Sequence, residues 1–377
     1  MIEMRPVRSE ADKRRFYRFA FRVYRDDPNW VPHLWPGKKD YLDRKSAFFS
    51  YGEGGFWLAM DGRRLVGTIG TAVNHARNRE MGWKAGTFGF FELLPGRYDA
   101  AAAMWDFAGE WCRQRGLDEL HGPYSFSGED DHGFLVQGFE SMPAIMMGHN
   151  PPCYPEYAER YGFETIHENQ AYRFDLSSIE YNLDNLPAAI HAIAGRCLRR
   201  HGPGVVRNPD MQDWDREVER LWAVYNRAMD VLPEASATEL SEFRAQADAL
   251  KSVIDPQLVL LAEVDGQVAG FALGLPNINE ALHAARGLRR PWDYVRFALA
   301  QRRIQSASFK IMAVDPAYWG YGLESVLFLR MGQAILERGY AWIDASLTGA
   351  NNPQTNKLLQ RCGAYVYRRY REYRLKL

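Results

Sequence analysis

The chain of 377 residues carries one pattern twice, and this repeat restricts the fold more than any other feature. The segment 148–176 (GHNPPCYPEYAERYGFETIHENQAYRFDL) overlays the segment 349–377 (GANNPQTNKLLQRCGAYVYRRYREYRLKL) without a gap. The overlay pairs identical residues: Asn150 with Asn351, Pro152 with Pro353, Gly162 with Gly363, Tyr172 with Tyr373 and Arg173 with Arg374. An internal repeat of this length indicates two copies of one domain.

The elements upstream of this match recur in the same order. A hairpin signal, Asp-Gly between two apolar runs, occurs at 61–62 and again at 265–266. A predicted strand ending in proline then precedes a helix in both halves, TFGFFELLP (87–95) and SFKIMAVDP (308–316). We therefore predict an α/β (α+β) fold of two tandem domains, 1–180 and 181–377. Each is expected to be a mixed, mostly antiparallel sheet flanked by helices.

Each copy has its own insertion, around 125–148 in the first and over 275–307 in the second. The second insertion is predicted to form one or two helices. Either insertion is interpreted as a lid or wall of a site, or as packing between the halves. A Pro- and aromatic-rich connection over 28–50 is expected to wrap the surface.

Composition excludes several classes of protein. Lys+Arg and Asp+Glu are both 47, so we expect no nucleic acid partner that is held by charge alone. The cysteines have no metal-site spacing and are expected to be reduced thiols: Cys112, Cys153, Cys197 and Cys362. The first residues lack an apolar signal region, and no run is long enough to span a bilayer. We predict a cytoplasmic protein without a metal, and leave peripheral membrane contact and oligomeric state open.

A strand–turn–helix stretch at 309–340 is the strongest candidate for a ligand site. Gly320 and Gly322 stand just before the helix, where glycine permits a tight turn and close approach to a ligand. The first turn of the helix then offers unpaired N–H groups to a phosphate. The stretch therefore predicts a nucleotide or coenzyme diphosphate site.

The element order and this turn resemble the GNAT superfamily of acyl-CoA N-acyltransferases, whose coenzyme loop is Arg/Gln-x-x-Gly-x-Gly/Ala. The matching stretch is AYWGYGLES (317–325), with Gly322 at the first required glycine and departures at Trp319 and Glu324. Full-length similarity extends to the bacterial tandem GNAT-like group, through DPNWVPHL (27–34), FGFFE (88–92), HGFLVQGF (132–139) and GHNPPCY (148–154). Some members of that group are implicated in acylating long-chain amines.

The resemblance implies that acetyl-CoA or a longer acyl-CoA binds the C-terminal copy as a substrate. The implied coenzyme-binding residues are Ala313, Val314, Trp319, Gly320, Tyr321, Gly322, Leu323, Asn352 and Asn356. Asn352 is also a good helix N-cap, which is compatible with coenzyme binding. Leu359 stands where the family's general-acid tyrosine is expected. The first copy reads ELLPGRYDAA with only Gly96, so it resembles a half that has lost coenzyme binding.

Acyl transfer to an amine needs a base, a donor to the thioester oxygen and a proton for the leaving thiolate. For the base, we single out Glu92 after an apolar run and His132 in an acidic segment, with Asp130 and Asp131 as further candidates. The alternatives are a carboxylate at a strand end and a solvated acidic loop. For the thiolate donor, we single out Tyr373, with Tyr370 as a second candidate, although a tyrosine in a strand is more often part of the core.

The run RRYREYR (368–374) has two interpretations. Strand alternation favours an edge strand with solvated charges, whereas its four arginines favour attraction for coenzyme phosphates or an anionic carrier. The leading functional prediction is an acyl-CoA-dependent N-acyltransferase, with a small-molecule amine acceptor bound between the two domains. The alternatives are a non-catalytic acyl-CoA-binding or scaffold protein, and an aminoacyl-tRNA-dependent transferase.

Overall fold

The computed structural model describes residues 1–126, 132–176, 183–231 and 238–377. The helices of the first half are α1 (Glu10–Val23), α2 (Trp35–Leu42), α3 (His75–Met81), α4 (Tyr98–Arg113) and α5 (Cys153–Tyr161). Its strands are β1 (Ile2–Pro6), β2 (Gly52–Asp61), β3 (Arg64–Asn74), β4 (Ala85–Leu93), β5 (Glu119–Gly122), β6 (Phe134–Gln137) and β7 (Glu164–Asp175).

The second half continues the same alternation. Its helices are α6 (Ala188–His201), α7 (Trp214–Met229), α8 (Leu240–Leu250), α9 (Asn279–Ala284), α10 (Pro291–Gln301), α11 (Leu323–Glu337) and α12 (Pro353–Arg361). Its strands are β8 (Val206–Arg207), β9 (Val259–Val264), β10 (Gln267–Pro276), β11 (Ser306–Val314), β12 (Trp342–Gly349) and β13 (Tyr365–Lys376). The insertion over 275–307 forms two helices, α9 and α10.

Local sequence signals account for many of these boundaries. The Ser9 side chain accepts a hydrogen bond from the backbone N–H of Asp12, and the Asp12 carboxylate accepts one in return, which forms a capping box at the start of α1. Asp61-Gly62 and Asp265-Gly266 connect the predicted hairpins β2–β3 and β9–β10. These elements confirm the sequence prediction.

One mixed, mostly antiparallel sheet runs through both halves. Its order is β1-β2-β3-β4-β5-β13-β7-β12-β11-β10-β9-β8, with β6 paired to β13. The pairs β4–β5 and β11–β12 are parallel, and the remaining pairs are antiparallel. This architecture confirms the predicted fold class.

The final strand of each half crosses into the other half. Strand β7 closes the first copy in sequence but pairs with β12, while β13 closes the second copy and pairs with β5. The crossing strands also pair with each other, from Tyr365↔Arg173 to Arg374↔Glu164. Hydrogen bonding is therefore continuous across the predicted division at 180/181. That division lies in 177–182, outside the described residues, and stays a prediction.

The exchange corrects the interpretation of 368–374 as an edge strand. Strand β13 lies between β5 and β7, in the middle of the sheet, and the Arg368 side chain is fully buried. Arg368 donates to the carbonyl oxygens of Ser141 and Gly148 and to Nδ1 of His149, which compensates its burial. Its neighbours Arg369 and Arg371 both pair with Glu168.

Apolar side chains form a separate core in each half. The first lies around Phe88, Met104 and Trp105, and the second around Leu260, Leu327 and Met331. The connection over 28–50 does not only wrap the surface, because Trp30 and Phe48 are buried and the segment contains α2. Burying these rings removes more apolar area from water than a solvated loop would.

Candidate functional site

The parallel strands β11 and β12 separate in the second half. Their pairing runs from Ser306↔Trp342 to Phe309↔Ala345 and ends there, while β11 stays paired with β10 as far as Val314. A β-bulge between Leu273 and Gly274 of β10 marks the same level of the sheet. One edge of β11 therefore leaves its parallel partner just before the glycine turn. We call this gap the β11–β12 wedge.

The glycine turn lies at the end of β11. Gly320 and Gly322 have φ values of +84° and +86°, a region in which a Cβ atom is strained. A Cβ on Gly320 would meet no atom of the described residues within 4 Å, whereas one on Gly322 would lie 2.8 Å from Cγ2 of Ile193 in α6. The backbone at Gly320 therefore remains open to approach, while Gly322 packs closely against α6.

Helix α6 brings basic side chains to this turn. The Arg200 guanidinium lies 5.0 Å from the ring centroid of Tyr321, and the His201 ring stacks on Tyr321 with 5.5 Å between centroids. Sequence reasoning missed both residues, although the run LRRH at the end of an amphipathic helix was a signal. The two residues supply positive charge or hydrogen-bond donors beside the N-terminus of α11, where Glu324 is acidic.

Two buried polar atoms of the second half, one of them beside the turn, have no hydrogen-bond partner among the described residues. They are Nε2 of His201 and Oδ1 of Asn356. The amide nitrogen of Asn356 donates to the carbonyl oxygen of Gly349 at 3.1 Å, so its oxygen is left to accept a bond from another group. A buried polar atom without a partner is costly, and a ligand that pairs with it removes that cost.

A buried polar group, which we call the Asp344 cluster, lies at the base of the wedge. Its members are Ser308, Lys310, Asp344, Ser346 and Tyr367. Asp344 accepts hydrogen bonds from Ser308, from Ser346 at 2.6 Å, from Lys310 at 3.3 Å and from Tyr367 at 2.9 Å. Lys310 also donates to Ser346 at 2.8 Å. The cluster thus joins three strands where β11 and β12 part.

Burial changes the proton affinity of this cluster. Removal from water lowers the pKa of Lys310, and the nearby Asp344 carboxylate offsets part of that effect. Burial, together with the same carboxylate, raises the pKa of Tyr367 well above its ordinary value. Sequence reasoning missed the cluster, although a lysine in FKIMAV and an aspartate in WIDASL are unusual within apolar strands. Perturbed, mutually bonded groups in a gap are typical of functional sites.

The other predicted coenzyme residues differ in accessibility. Ala313, Val314 and Leu323 are buried in the second half, whereas Trp319 is 56% exposed and donates from its indole N–H to the carbonyl oxygen of Val314. Asn352 caps α12 by accepting from the backbone N–H of Thr355 at 3.2 Å. Leu359 lies in the core of the second half, so its side chain offers no proton there.

The equivalent turn in the first half is followed by an arginine that is held in ion pairs. Arg97 donates to Asp61 at 3.0 Å and to Asp99 at 2.8 Å, in front of the first turn of α4. Gly96 has a φ of +78°, and a Cβ on it would meet no atom within 4 Å, as at Gly320. The two turns therefore have similar backbones but different charges.

Glu92 lies in a groove of the first half. The Tyr154 hydroxyl donates to the Glu92 carboxylate at 3.2 Å. The groove is lined by aromatic side chains of α1 and the following connection, and includes Phe21, Trp30 and Phe90 with Glu92. We call it the aromatic groove. Apolar walls with few polar groups are typical of pockets for apolar ligands.

The remaining predicted catalytic residues lie in the first half. His132 has its Nδ1 3.8 Å from Oε1 of Glu372. Tyr373 is fully buried in the first core and donates to Glu159 at 3.1 Å, because β13 crosses to β5. Tyr373 therefore does not lie beside Leu359, although its place after α12 in the sequence suggested that it would. Asp130 and Asp131 lie outside the described residues.

The structure does not bring Glu92 to the β11–β12 wedge. Strands β5, β13, β7 and β12 lie between β4 and β11. At about 4.8 Å between neighbouring strands, β4 and β11 are about 24 Å apart across the sheet. Glu92 and the β11–β12 wedge are therefore separated by four strands of the sheet, and the role of Glu92 as the base stays a prediction.

The first half does reach the wedge through a different segment. Residues 143–147 contact the second half: the N–H of Ile145 donates to Asn277 at 3.0 Å, and Asn279 donates to the carbonyl oxygen of Ala144 at 2.9 Å. The sulfur of Met147 lies 3.4 Å from Oγ of Ser346 and 3.7 Å from the hydroxyl oxygen of Tyr367. One wall of the Asp344 cluster therefore comes from the insertion of the first half.

Metal-binding groups and membrane-spanning helices are both absent from the described residues. Across residues 1–126, 132–176, 183–231 and 238–377, no three His, Cys, Asp or Glu side chains are grouped so as to hold a metal ion. Over the same ranges, no helix has both the length and the apolar character that crossing a bilayer requires.

Comparison with known proteins identifies the fold. No family model matches the chain. A tandem GNAT protein from the clavulanic acid biosynthesis pathway superimposes with a TM-score of 0.58 and 12% identity, covering 100% of this chain and 98% of that one. A GCN5-related N-acetyltransferase from Sphaerobacter thermophilus gives 0.51 and 13%, covering 100% and 95%. The chain therefore has the tandem GNAT fold.

Two relatives match nearly the whole length in sequence. A bacterial ceramide synthase from Caulobacter vibrioides (strain NA1000 / CB15N) is 29% identical over 379 aligned positions, which cover 98% of this chain and 96% of the relative. The protein YghO from Escherichia coli (strain K12) is 25% identical over 384 positions, covering 98% and 94%.

Proposed function

We propose that the chain is an acyl-CoA-dependent N-acyltransferase that joins an acyl group to a long-chain amine. The observation that carries the proposal is the β11–β12 wedge, which leads from the buried Asp344 cluster to a glycine turn bordered by Arg200 and His201. The full-length relative named as a bacterial ceramide synthase supports the choice of reaction, because a ceramide is an N-acylated long-chain amine.

The residues at the turn suit the diphosphate and amide groups of a coenzyme. The open backbone at Gly320 permits close approach, and the α11 N-terminus favours a phosphate. Nε2 of His201 and Oδ1 of Asn356, which have no partner within the described part of the chain, are proposed as polar contacts of the coenzyme. In the first half, Arg97 is already bound by two aspartates, which supports assigning the coenzyme to the second half.

The reaction requires a proton to leave the amine as the new N–C bond forms and the C–S bond of the thioester breaks. The proton must reach a base, and the thiolate must receive one. We propose that the Asp344 cluster holds the proton network beside the wedge, with Lys310 and Tyr367 as its titratable donors. Backbone N–H groups of β11 beyond Phe309 are proposed as donors to the thioester oxygen, since that edge has left β12.

The acceptor is proposed to lie between the halves, beside the segment 143–147. This segment brings Met147 of the first half to Ser346 and Tyr367 of the second half. Glu92 lines the aromatic groove of the first half, and we propose that this groove contacts the apolar part of a ligand. We propose no role at the thioester for Glu92, His132 or Tyr373, because their side chains lie in the first half.

Thermal shift with acetyl-CoA and with palmitoyl-CoA tests coenzyme binding. At 100 times its dissociation constant, either ligand should stabilise the fold by about 2.7 kcal/mol. The matched variants are Gly320→Asp and Gly96→Asp, since a Cβ at either position meets no atom within 4 Å and both have positive φ. Only Gly320→Asp should abolish the shift, because it adds negative charge at the coenzyme turn.

Two outcomes would contradict the proposal. If no acyl-CoA shifts the melting temperature, the chain is not an acyl-CoA enzyme. If Gly96→Asp abolishes the shift and Gly320→Asp does not, the coenzyme binds the first half. Release of free thiol in the presence of a long-chain amine then separates an acyltransferase from a non-catalytic binder, which would shift without turnover.

A further inference from the structure

Helix α10 presents apolar side chains to solvent. Trp292, Val295 and Leu299 are 52%, 62% and 58% exposed, and Tyr294 is 60% exposed. Residues 292, 295 and 299 are spaced three and four apart, so they share one stripe of the helix. Asp293 is buried and Phe297 and Ala300 are partly buried, so the side of α10 that carries these three residues faces the protein. The stripe therefore points away from the fold.

Arginines border this stripe. At 100° per residue, Arg296 lies along one border of the stripe, and Arg302 and Arg303 directly follow the last turn of the helix. Arg286, Arg289 and Arg290 precede the helix, and all six of these arginines are exposed. The two acidic residues over 277–305 are both engaged: Glu280 accepts from the N–H of Ser306, and the buried Asp293 accepts from the N–H of Arg290 and pairs with the half-exposed Arg296 at 3.6 Å. The outer face is thus apolar and strongly basic.

We propose that α10 docks on an anionic lipid surface. Tryptophan and tyrosine favour the boundary between water and lipid, and guanidinium groups bind phosphate headgroups in a bidentate manner. An amphipathic helix with this arrangement lies in the plane of the interface. The basic border favours anionic lipid over a second copy of the chain, whose identical basic face would repel it.

The turn before α10 contacts residues at the aromatic groove. Arg289, in the turn before α10, lies 4.3 Å from the ring centroid of Phe21, and Phe21 lines the aromatic groove. A Cβ on Gly287 would lie 2.6 Å from Cβ of Pro32, so the same turn packs on the connection that forms the groove wall. Docking of α10 therefore places the groove beside the lipid, where an apolar substrate partitions. The identity of that substrate rests on the proposed acyl transfer, whereas the lipid contact does not.

Vesicle co-sedimentation tests the proposal without acyl-CoA or turnover, so its failure is distinct from failure of the proposed function. The full chain should bind vesicles of equal parts phosphatidylglycerol and phosphatidylcholine, and bind at least about tenfold more weakly to phosphatidylcholine alone or in high salt. Trp292→Ser with Leu299→Ser, and separately Arg302→Glu with Arg303→Glu, should each weaken binding about tenfold or more.

Matched controls change equally exposed residues elsewhere. Trp319→Ser removes another half-exposed tryptophan, and Arg113→Glu with Arg216→Glu makes the same change in net charge at exposed sites. These controls should retain vesicle binding. The proposal is overturned if the full chain does not bind anionic vesicles, or if the controls lose binding as the α10 variants do. It is also overturned if sedimentation shows a dimer that the α10 variants convert to monomer, since the face would then be a protein interface.

Discussion

The buried pair of Lys310 and Asp344 gives the most demanding test of the site. Asp344→Asn preserves the shape of the side chain but leaves the Lys310 ammonium buried, where Asp344 is the only carboxylate ion-paired with it among the described residues. Breaking a buried pair on one side costs about 3–5 kcal/mol. Lys310→Met retains much of the stem, and Asp344 keeps three hydroxyl donors, so we expect a smaller loss of about 1–3 kcal/mol.

The double variant should cost less than the sum of the single variants. Replacing both residues removes both charges, so neither is left buried without its partner. The expected coupling is about 1–3 kcal/mol. With roughly 2–4 °C per kcal/mol for domains of this size, Asp344→Asn should lower the melting temperature by roughly 6–20 °C.

Urea unfolding, followed by circular dichroism and tryptophan fluorescence, measures the free energy of unfolding of the unchanged chain, the two single variants and the double variant. These four values form a double-mutant cycle. The control cycle is Arg244→Met with Glu219→Gln, a pair whose side chains are 36% and 53% exposed and which should couple by less than about 1 kcal/mol. The reasoning is refuted if the single losses at Lys310 and Asp344 add within about 0.5 kcal/mol. It is also refuted if Asp344→Asn costs no more than Glu219→Gln.

Two further predictions concern the glycine turn and the junction of the halves. Gly322→Ala should destabilise the fold more than Gly320→Ala by about 1–3 kcal/mol. Both positions have positive φ, but only a Cβ at Gly322 would overlap Ile193. Equal melting temperatures of the two variants would contradict this prediction. Burial and the adjacent Arg368 lower the pKa of His149 below its ordinary 6.5. As pH drops through 6.5, His149 of the unfolded chain therefore gains a proton before His149 of the folded chain does, and the free energy of unfolding falls. His149→Gln should therefore reduce the loss of melting temperature between neutral and mildly acidic pH, and an unchanged pH profile would count against it.

Local sequence signals were sufficient for most elements. The Asp-Gly turns at 61–62 and 265–266 and the capping box of Ser9 and Asp12 act over a few residues, so the sequence carries their information directly. The glycine turn was predicted for the same reason, since only glycine adopts the φ of Gly320 and Gly322 without strain. Apolar alternation likewise predicted the strands but not their partners.

The candidate site was only partly predictable, because its polar groups come from distant parts of the chain. Lys310, Asp344 and Tyr367 belong to three strands, and Met147 comes from the first half. Arg200 and His201 reach Tyr321 only through the packing of α6 against α11. The reverse holds at Tyr373, which follows α12 in sequence while its ring lies in the first core.

The sequence by itself determined the repeat, the order of elements in each copy and the turn that kept its glycines, because these depend on short-range periodicity and backbone preference. Only the tertiary structure decided that β7 and β13 exchange places. Both strands carry the same repeated pattern, so each satisfies the hydrogen bonds and apolar surface of either half. The choice between them depends on how the whole sheet packs, and that choice buried Arg368 and moved Tyr373 away from the wedge.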